Sequence, residues 1–297
     1  MKARTRFDRK QHNRENKRLR RMGGAVFRRK TPSKESAAIV EGRNPVIEAL
    51  RAGRPIKRII MAKGVRQSEA VEKIFRLARE RGMTVERVEQ REVGRLSVTG
   101  KSQGVLAVTG PKGYVGLKQL LEIGAKRGES TLLVALDGIQ DPHNLGAIIR
   151  TAEAAGVQGV VIPERRSAGL SAGVARASAG AVEHMAVARV PSLTNVLARL
   201  SKLGVWTVGV DPNGSADFTE VDYRQPTAIV VGAEGKGVSR LVRERCDTLA
   251  RIPMQGRMAS LNASVSAALV MYEAMRQRLG AHSATNNDAK GSRYERA

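Results

Sequence analysis

The chain has 297 residues, 41% of them hydrophobic, and a single cysteine. A hydrophobic fraction of this size supports buried cores, and one cysteine excludes an intrachain disulfide scaffold. No apolar stretch approaches the roughly 18 residues that cross a bilayer, and the first residues lack the apolar core of a secretory signal. Four scattered histidines form no pattern of metal ligands. These features predict a cytoplasmic protein of about two domains that binds neither a membrane nor a metal.

The charge indicates the kind of partner. Lys and Arg number 52 against 28 Asp and Glu, so the formal net charge is +24. Such a charge repels itself in a compact protein and therefore favours a polyanionic partner, with nucleic acid as the best candidate. Four Phe, four Tyr and one Trp are too few for base-stacking platforms.

Residues 1–36 hold 14 basic and three acidic residues, a net charge of +11, with almost no apolar periodicity. This composition is typical of a disordered basic arm. Binding to RNA or to the ribosome is the favoured interpretation, because neutralising phosphates needs only charge and flexibility. A solubilising tail is the alternative.

Residues 37–110 differ sharply in composition from the arm and are predicted to form a small α/β domain. Asn44 and Pro45 resemble the N-cap and the first residue of a short helix. Ser68 is predicted to cap a second helix, which ends at Gly82. Three segments are predicted strands: Ile56–Met61, Met83–Val88 and Gly104–Val108.

Residues 111–130 contain four glycines and are predicted to be a linker with one short helical piece, leading to a second domain at residues 131–280. Apolar runs without alternation in that domain predict parallel strands covered on both faces. The four runs are Leu132–Leu136, Gly159–Ile162, Val205–Val210 and Ala228–Val231. A helical stripe closes the domain, made of Leu261, Val265, Ala268, Leu269 and Tyr272. Residues 281–297 have no periodicity and are predicted to be a disordered tail.

Three segments of the second domain carry more polar and glycine residues than packing requires. In the first, a strand and a polar turn lead into a helix near Asn144, whose side chain could simply cap that helix. Arg150 is different, since it lies inside the helix beside two isoleucines, where a surface helix does not require it. His143 could serve as a base, although an exposed turn histidine is the favoured interpretation.

The second segment, Val230–Ser239, is a strand that runs into a glycine-rich turn. Glycines let a ligand approach the backbone and expose N–H groups at a helix start. The turn is not a Walker loop, because Lys236 is followed by Gly237, and it lacks the acidic partner of a dinucleotide fingerprint. Glu234 would repel phosphate, so this turn suits a cationic or hydrogen-bond-donating ligand.

The third segment, Ile252–Ser266, is a short strand that leads through a loop into the last helix. Ser260 and Asn262 lie at the N-terminal end of that helix. Capping by Ser260 is sufficient to explain its position.

Together the three segments resemble the three motifs of the SpoU (TrmH-type) RNA ribose 2′-O-methyltransferases of the SPOUT superfamily. The matching patterns are D-P-x-N-x-G-A-I-I-R-T-A, V-V-G-A-E-G-x-G and I-P-M-x-G-x-x-x-S-L-N-x-S-V. The similarity extends over residues 132–278, and residues 39–109 look like the L30e-like substrate-binding domain of many members. The layout is most similar to the branch that methylates a guanosine of large-subunit (23S) rRNA.

The resemblance implies an α/β fold of the SPOUT type, with a parallel sheet and a deep trefoil knot in the catalytic domain, preceded by the L30e-like α/β domain. It also implies S-adenosylmethionine (SAM) as the cofactor, RNA as the partner, and a homodimer with its active site near the subunit interface. By motif position, the cofactor-binding residues are Gly232, Ile252 and Leu261, with Gly209 as a weaker candidate.

The resemblance assigns catalysis to Asn144, Arg150, Glu234, Ser260 and Asn262. An arginine is a poor base because its guanidinium stays protonated, so Arg150 is expected to stabilise the alkoxide that forms on the ribose. Glu234 would orient Arg150 or the nucleoside, and Asn144 would position Arg150 or the ribose. Ser260 and Asn262 would shape the entrance of the site.

Two alternatives to an rRNA methyltransferase stay open at this point. One is a tRNA ribose 2′-O-methyltransferase, and the other is a non-catalytic rRNA-binding assembly factor that keeps the fold without methyl transfer. The L30e-like domain and the basic arm favour rRNA over tRNA. Retention of the motif residues favours an enzyme.

Overall fold

The computed structural model describes residues 38–234 and 237–291, and for residues 281–291 only the backbone is described. The basic arm predicted for residues 1–36 lies outside the described residues. Within the described part of the chain, no helix is both long enough and apolar enough to cross a membrane. Two sheets, each covered by helices, organise this part of the chain.

The first sheet has four strands: β1 (Ala38–Glu41), β2 (Ile56–Ala62), β3 (Val85–Val88) and β4 (Val105–Thr109). Three helices accompany them: α1 (Arg43–Arg51), α2 (Glu69–Glu80) and α3 (Gln90–Leu96). The strand order is β1-β4-β2-β3, and only the β2–β3 pair is parallel. The sequence pattern indicates β2, β3, β4 and the first two helices. It misses β1 and α3, which are too short to show a clear period.

The starts of two helices test the capping predictions. Helix α2 begins as predicted, because the Ser68 hydroxyl accepts a hydrogen bond from a first-turn amide, and Gly82 follows the helix at φ +65°. Helix α1 begins earlier than predicted. Its N-cap is Gly42 and not Asn44, which lies in the first turn with Pro45. Proline is tolerated there because first-turn amides have no intrahelical partner.

The second sheet has seven strands: β5 (Leu132–Asp137), β6 (Gly159–Pro163), β7 (Val187–Val190), β8 (Trp206–Val210), β9 (Ala216–Asp217), β10 (Thr227–Gly232) and β11 (Thr248–Arg251). Their order is β7-β6-β5-β10-β8-β11-β9, and every pair is parallel. The helices are α4 (Leu117–Arg127), α5 (Pro142–Ala154), α6 (Ala172–Ala177), α7 (Leu193–Lys202), α8 (Arg240–Arg243) and α9 (Ala263–Gly291), with a 3₁₀ turn at Ala181–Glu183. The prediction of an α/β fold with a parallel sheet is confirmed, and the trefoil knot stays a prediction.

Both faces of the second sheet are covered, which explains why its strands show no polar alternation. On β5, Leu132, Val134 and Leu136 pack into a core shared with α5 and α9. The intervening Leu133 and Ala135 pack into a second core, shared with α4 and α7. The sheet is therefore the middle layer of a three-layer sandwich.

The segment predicted as a linker contains a packed helix. The Val115 amide donates to a carbonyl of β7 at 2.9 Å, and α4 places Leu120 in the second core. Leu120 lies directly over Gly159, where an added Cβ would be 2.6 Å from its side chain. The short helical piece predicted in this segment is α4, and its Leu117, Leu120 and Leu121 have the spacing of an amphipathic helix. The surrounding glycines suggested a linker, whereas the segment is packed against the sheet.

The last helix, α9, buries a different face from the stripe predicted from sequence. The side chains that pack into the core are Ala263, Ala267, Val270, Met271 and Ala274. In contrast, Val265, Leu269 and Tyr272 of the stripe are 46%, 39% and 47% exposed. Packing within the domain therefore does not account for the stripe.

Helix α9 also continues to Gly291, beyond residue 281, where the sequence predicts the start of a disordered tail. Residues 281–290 contain neither proline nor glycine, so nothing in the local sequence stops the helix.

The two sheets are joined through a charged seam. Arg54, which follows α1, donates to the carboxylate of Glu183, and the two side chains are 10% and 1% exposed. Lys112 donates to the carbonyl oxygen of Glu183 at 2.7 Å, and His184 Nε2 lies 2.9 Å from a carboxylate oxygen of Glu48. Both sheets accordingly belong to one compact unit.

Candidate active site

A cavity of about 320 Å³ opens at the carboxyl ends of β8 and β10, beside the start of α9. Ligands of open parallel sheets bind at this edge, where the strand order reverses. Five residues predicted from the motifs are among its walls: Gly232, Glu234, Ile252, Ser260 and Leu261. The fold therefore brings the second and third motif segments together around one space.

Glu234 accepts hydrogen bonds from two side-chain amides beside this cavity. Asn144 Nδ2, on α5, donates to Glu234 Oε1 at 3.0 Å, and Asn262 Nδ2 donates to the same oxygen. Asn262 Nδ2 also lies 3.1 Å from Oδ1 of Asn144, which accepts from it. One side chain from each motif segment thus meets at a single point, although the residues are up to 118 positions apart in sequence.

Asn144 is available for this contact because it does not cap its helix. The N-cap of α5 is Asp141, whose carboxylate accepts the His143 amide at 2.9 Å, and Pro142 is the first helical residue. The interpretation of Asn144 as a cap is therefore wrong by three positions. His143 is exposed, as expected if it is a turn histidine and not a catalytic base.

Asn262 has a second task at the start of α9. Its Oδ1 accepts the amides of Ser264 at 2.8 Å and Val265 at 3.3 Å, which is the geometry of an N-cap. Capping by Ser260 is therefore wrong, and Ser260 instead lines the cavity. Because Asn262 uses its oxygen for the helix and its nitrogen for Glu234, the orientation of its amide is fixed from both ends.

The glycine-rich turn is held against the end of β10. A Cβ on Gly232 would lie 1.9 Å from the carbonyl carbon of Gly237, so only glycine lets the turn fold back this closely. On the other side, Asp137 at the end of β5 accepts the Ser239 amide at 2.8 Å. The turn that borders the cavity is thus anchored at both of its described flanks.

Gly209, the weaker candidate for cofactor binding, does not line the cavity. A Cβ at this position would be 2.9 Å from both Cys246 Sγ and a methyl group of Leu249, so the residue faces the packing between β8 and its neighbours. Burial and the nearby carboxylates of Asp247, Asp137 and Asp211 raise the pKa of the Cys246 thiol to about 12. A thiol in that state is not a nucleophile.

Arg150 is exposed on α5 and has no hydrogen-bond or ion-pair partner among the described residues. It is six residues beyond Asn144, which on a helix is roughly 120° around the axis and 9 Å along it. Glu234 therefore orients Asn144 and Asn262, and the expectation that it holds Arg150 is not met within the described chain.

The cavity fits the cofactor that the motifs imply. SAM is a sulfonium cation, and the walls combine bare glycine backbone and apolar side chains with the carboxylates of Glu234 and Asp211. Asp211 is 4% exposed and lies 3.4 Å from Arg243, while its other oxygen accepts the Asn213 amide. Asp211 and Asp137 were not among the residues predicted from the motifs. Their signal was a carboxylate immediately after an apolar strand run, at the edge where ligands bind.

Comparison with protein families gives two matches. Residues 131–272 match the SpoU rRNA Methylase family, and residues 39–115 match the RNA 2′-O ribose methyltransferase substrate-binding domain. A TrmH family tRNA/rRNA methyltransferase, YacO of Bacillus subtilis (strain 168), is 43% identical over 80% of this chain and 95% of its own. Its counterpart in Staphylococcus aureus (strain MSSA476) is 42% identical over 81% and 96%.

Solved structures agree with this similarity. The SpoU methyltransferase AviRb from Streptomyces viridochromogenes, in complex with the cofactor AdoMet, superimposes with a TM-score of 0.68 at 27% identity, covering 82% of this chain and 91% of its own. An AdoMet-bound rRNA methyltransferase from Sinorhizobium meliloti gives 0.66 at 29% identity, covering 81% and 87%. The fold and the cavity thus define a SAM-dependent RNA methyltransferase. The chain belongs to the SpoU (TrmH) family.

Proposed function

We propose that this protein methylates the 2′-hydroxyl of a guanosine ribose in 23S rRNA, in the cytoplasm. Family membership supports an RNA methyltransferase acting on tRNA or rRNA. The net charge of +24 and the match to a substrate-binding domain support a large, structured RNA as the substrate. The observation that carries the proposal is the meeting of Asn144, Glu234 and Asn262 beside the glycine-lined cavity.

The chemistry needs positioning more than it needs strong acids or bases. SAM supplies an electrophilic methyl group, and in-line placement of the attacking ribose oxygen provides much of the rate. Gly232 and Leu261, in the walls of the cavity, would contact the cofactor. The carboxylate of Glu234 favours a cation in this cavity and rejects phosphate.

The ribose hydroxyl loses its proton as its oxygen attacks, and the protein must stabilise the negative charge that develops. Arg150 is the proposed cation for that task, since its guanidinium stays protonated and carries no competing ion pair among the described residues. Asn144 and Asn262, held by Glu234, position the ribose, and Ser260 lines the entrance.

A homodimer completes the proposal. The exposed stripe of Val265, Leu269 and Tyr272 begins within one turn of Asn262, so a second copy docked there would close the site. An apolar surface of this kind on a highly charged chain is typical of a subunit interface.

The test is methyl transfer from labelled SAM to separate pools of 23S rRNA, 16S rRNA and tRNA, followed by mapping of the modified nucleotide. We expect one 2′-O-methylguanosine in 23S rRNA, and greatly reduced transfer by Glu234→Gln, which keeps the side-chain size and removes the charge. Transfer to tRNA alone would contradict the choice of substrate. SAM and RNA binding without transfer to any RNA would support an assembly factor instead.

A further inference from the structure

A second cleft, of about 350 Å³, lies at the seam between the two sheets. One wall comes from the first domain, through Asn44 at the start of α1 and through Lys101 and Gln103, and Glu41 also lines it. The other comes from the second domain, through Arg176 of α6 and Ala179 in the turn that follows this helix. Neither the motifs nor the methyl-transfer site uses this cleft.

The loop that carries Lys101 is built on a buried carboxylate. Glu41 is completely buried and accepts hydrogen bonds from Ser97 Oγ at 3.0 Å and from the Thr99 amide at 3.1 Å. The Thr99 hydroxyl and the Val98 amide also donate to it. Burial opposes ionisation of Glu41, but these hydrogen bonds outweigh it and lower its pKa. The negative charge of Glu41 is thus already compensated by hydrogen bonds from the loop.

The two cationic side chains of the cleft, Lys101 and Arg176, have no ion-pair partner among the described residues. The Nε of Arg176 is buried without a hydrogen-bond acceptor, and neither Arg176 nor Lys101 forms an ion pair within the described residues. A guanidinium that is partly removed from water without an acceptor costs free energy, so a ligand with acceptor oxygens stabilises it. An adjoining cleft of about 330 Å³ shares Gln103, adds Arg43 and Arg66, and has no acidic residue in its walls.

The cleft is also next to the helix that carries the methyl-transfer residues. Helices α5 and α6 are in close contact, because a Cβ on Gly146 of α5 would lie 2.4 Å from the side chain of Ala177. Ala177 follows Arg176 directly, and Gly146 lies between Asn144 and Arg150. A strand bound at Arg176 is therefore one helix away from the proposed target ribose.

We propose that this seam cleft, defined by Asn44, Lys101, Gln103 and Arg176, binds a backbone phosphate of the RNA substrate. Lys101 and Arg176, from the two domains, neutralise the charge of the phosphodiester. The side-chain amides of Asn44 and Gln103 form hydrogen bonds with the adjoining ribose. This assignment rests on the proposed function, because it takes the methylated RNA as the ligand.

The test measures binding of the full chain to a fluorescent fragment of the RNA that it methylates, at increasing KCl. Lys101→Ala and Arg176→Ala should each weaken binding roughly three- to tenfold and lower the salt slope by about 1. Arg176→Lys should retain most of the slope. The matched control is Arg79→Ala, which removes an exposed arginine near the C-terminal end of α2, away from the cleft.

SAM titration and thermal unfolding of each variant report whether the fold is intact, and Lys101→Ala, on an exposed loop, keeps the test valid if Arg176→Ala fails to fold. If both variants bind RNA like Arg79→Ala while the wild type methylates RNA, the cleft is not a phosphate site and the proposed function stands. If the wild type transfers no methyl group to any RNA, the proposed function fails, and this assignment fails with it.

Discussion

Glu234 shows how a residue can be found from sequence while its partners are not. The motif placed a carboxylate in a glycine-rich turn, and its conflict with a phosphate site was visible without a structure. The structure adds that this carboxylate joins Asn144 to Asn262. Arg150, the expected partner, is exposed and forms no hydrogen bond or ion pair with Glu234. The role proposed for Arg150 therefore depends on charge that develops in the substrate, and not on a preformed ion pair within the described residues.

Arg150→Ala tests this role. If Arg150 stabilises the alkoxide only as it forms, the single-turnover rate of methyl transfer should fall roughly 10²- to 10³-fold, while SAM affinity is unchanged. Arg150→Lys should recover little of the rate, because a point charge on a flexible stem does not reproduce a planar guanidinium. Rapid-quench methyl transfer measured beside SAM titration separates these effects.

The control for this experiment is Arg199→Ala, which removes an exposed arginine from α7, on the opposite face of the sheet. It should leave the rate unchanged. Near-normal transfer by a folded Arg150→Ala protein would remove Arg150 from catalysis, and a lower unfolding temperature with normal transfer would make it a structural residue.

The sequence predicted the strands and helices that show a clear hydrophobic period, and missed elements that are short or that depend on tertiary contacts. The apolar runs of β5, β6, β8 and β10 were clear because both faces are buried. Strands β7 and β9 have only four and two residues, so neither has a measurable period and both were missed. The short strand predicted at Ile252 lies just before that residue, at Thr248–Arg251. The true cap of α5, Asp141, was overlooked because Asn144 has the same capping chemistry, and only the contact with Glu234 separates them.

The stripe on α9 leads to a prediction about assembly. We expect a dimer of about 64 kDa, twice the chain mass of 32.1 kDa, by sedimentation equilibrium. Leu269→Asp should convert it to monomers and abolish methyl transfer, because each subunit loses the burial of a leucine, roughly 1.5–3 kcal/mol, and gains an unpaired charge.

The matched control is Leu241→Asp, at a leucine that is 59% exposed on α8 and outside the stripe. It should remain dimeric and active. A wild-type monomer that methylates RNA would show that the stripe is not a functional interface.

The basic arm remains a prediction from sequence alone. Deleting residues 1–36 removes 14 basic residues and should weaken RNA binding and flatten its dependence on salt, since counterion release scales with the phosphates neutralised. SAM affinity should not change, because the motif residues lie elsewhere. Binding isotherms at several salt concentrations measure both, and an unchanged affinity and slope would make the arm a solubilising tail.

The buried pair of Arg54 and Glu183 limits how the enzyme can recognise RNA. Swinging the first sheet away from the second would uncover a carboxylate that is now 1% exposed and would break the contact of Lys112 with the same residue. Paired buried charges resist such separation. We therefore expect the protein to hold the substrate-binding half and the methyl-transfer site at a fixed distance from each other. We expect the RNA to bend or splay its strand to match that distance, so that the shape of its surroundings contributes to selection of the target nucleotide together with its base.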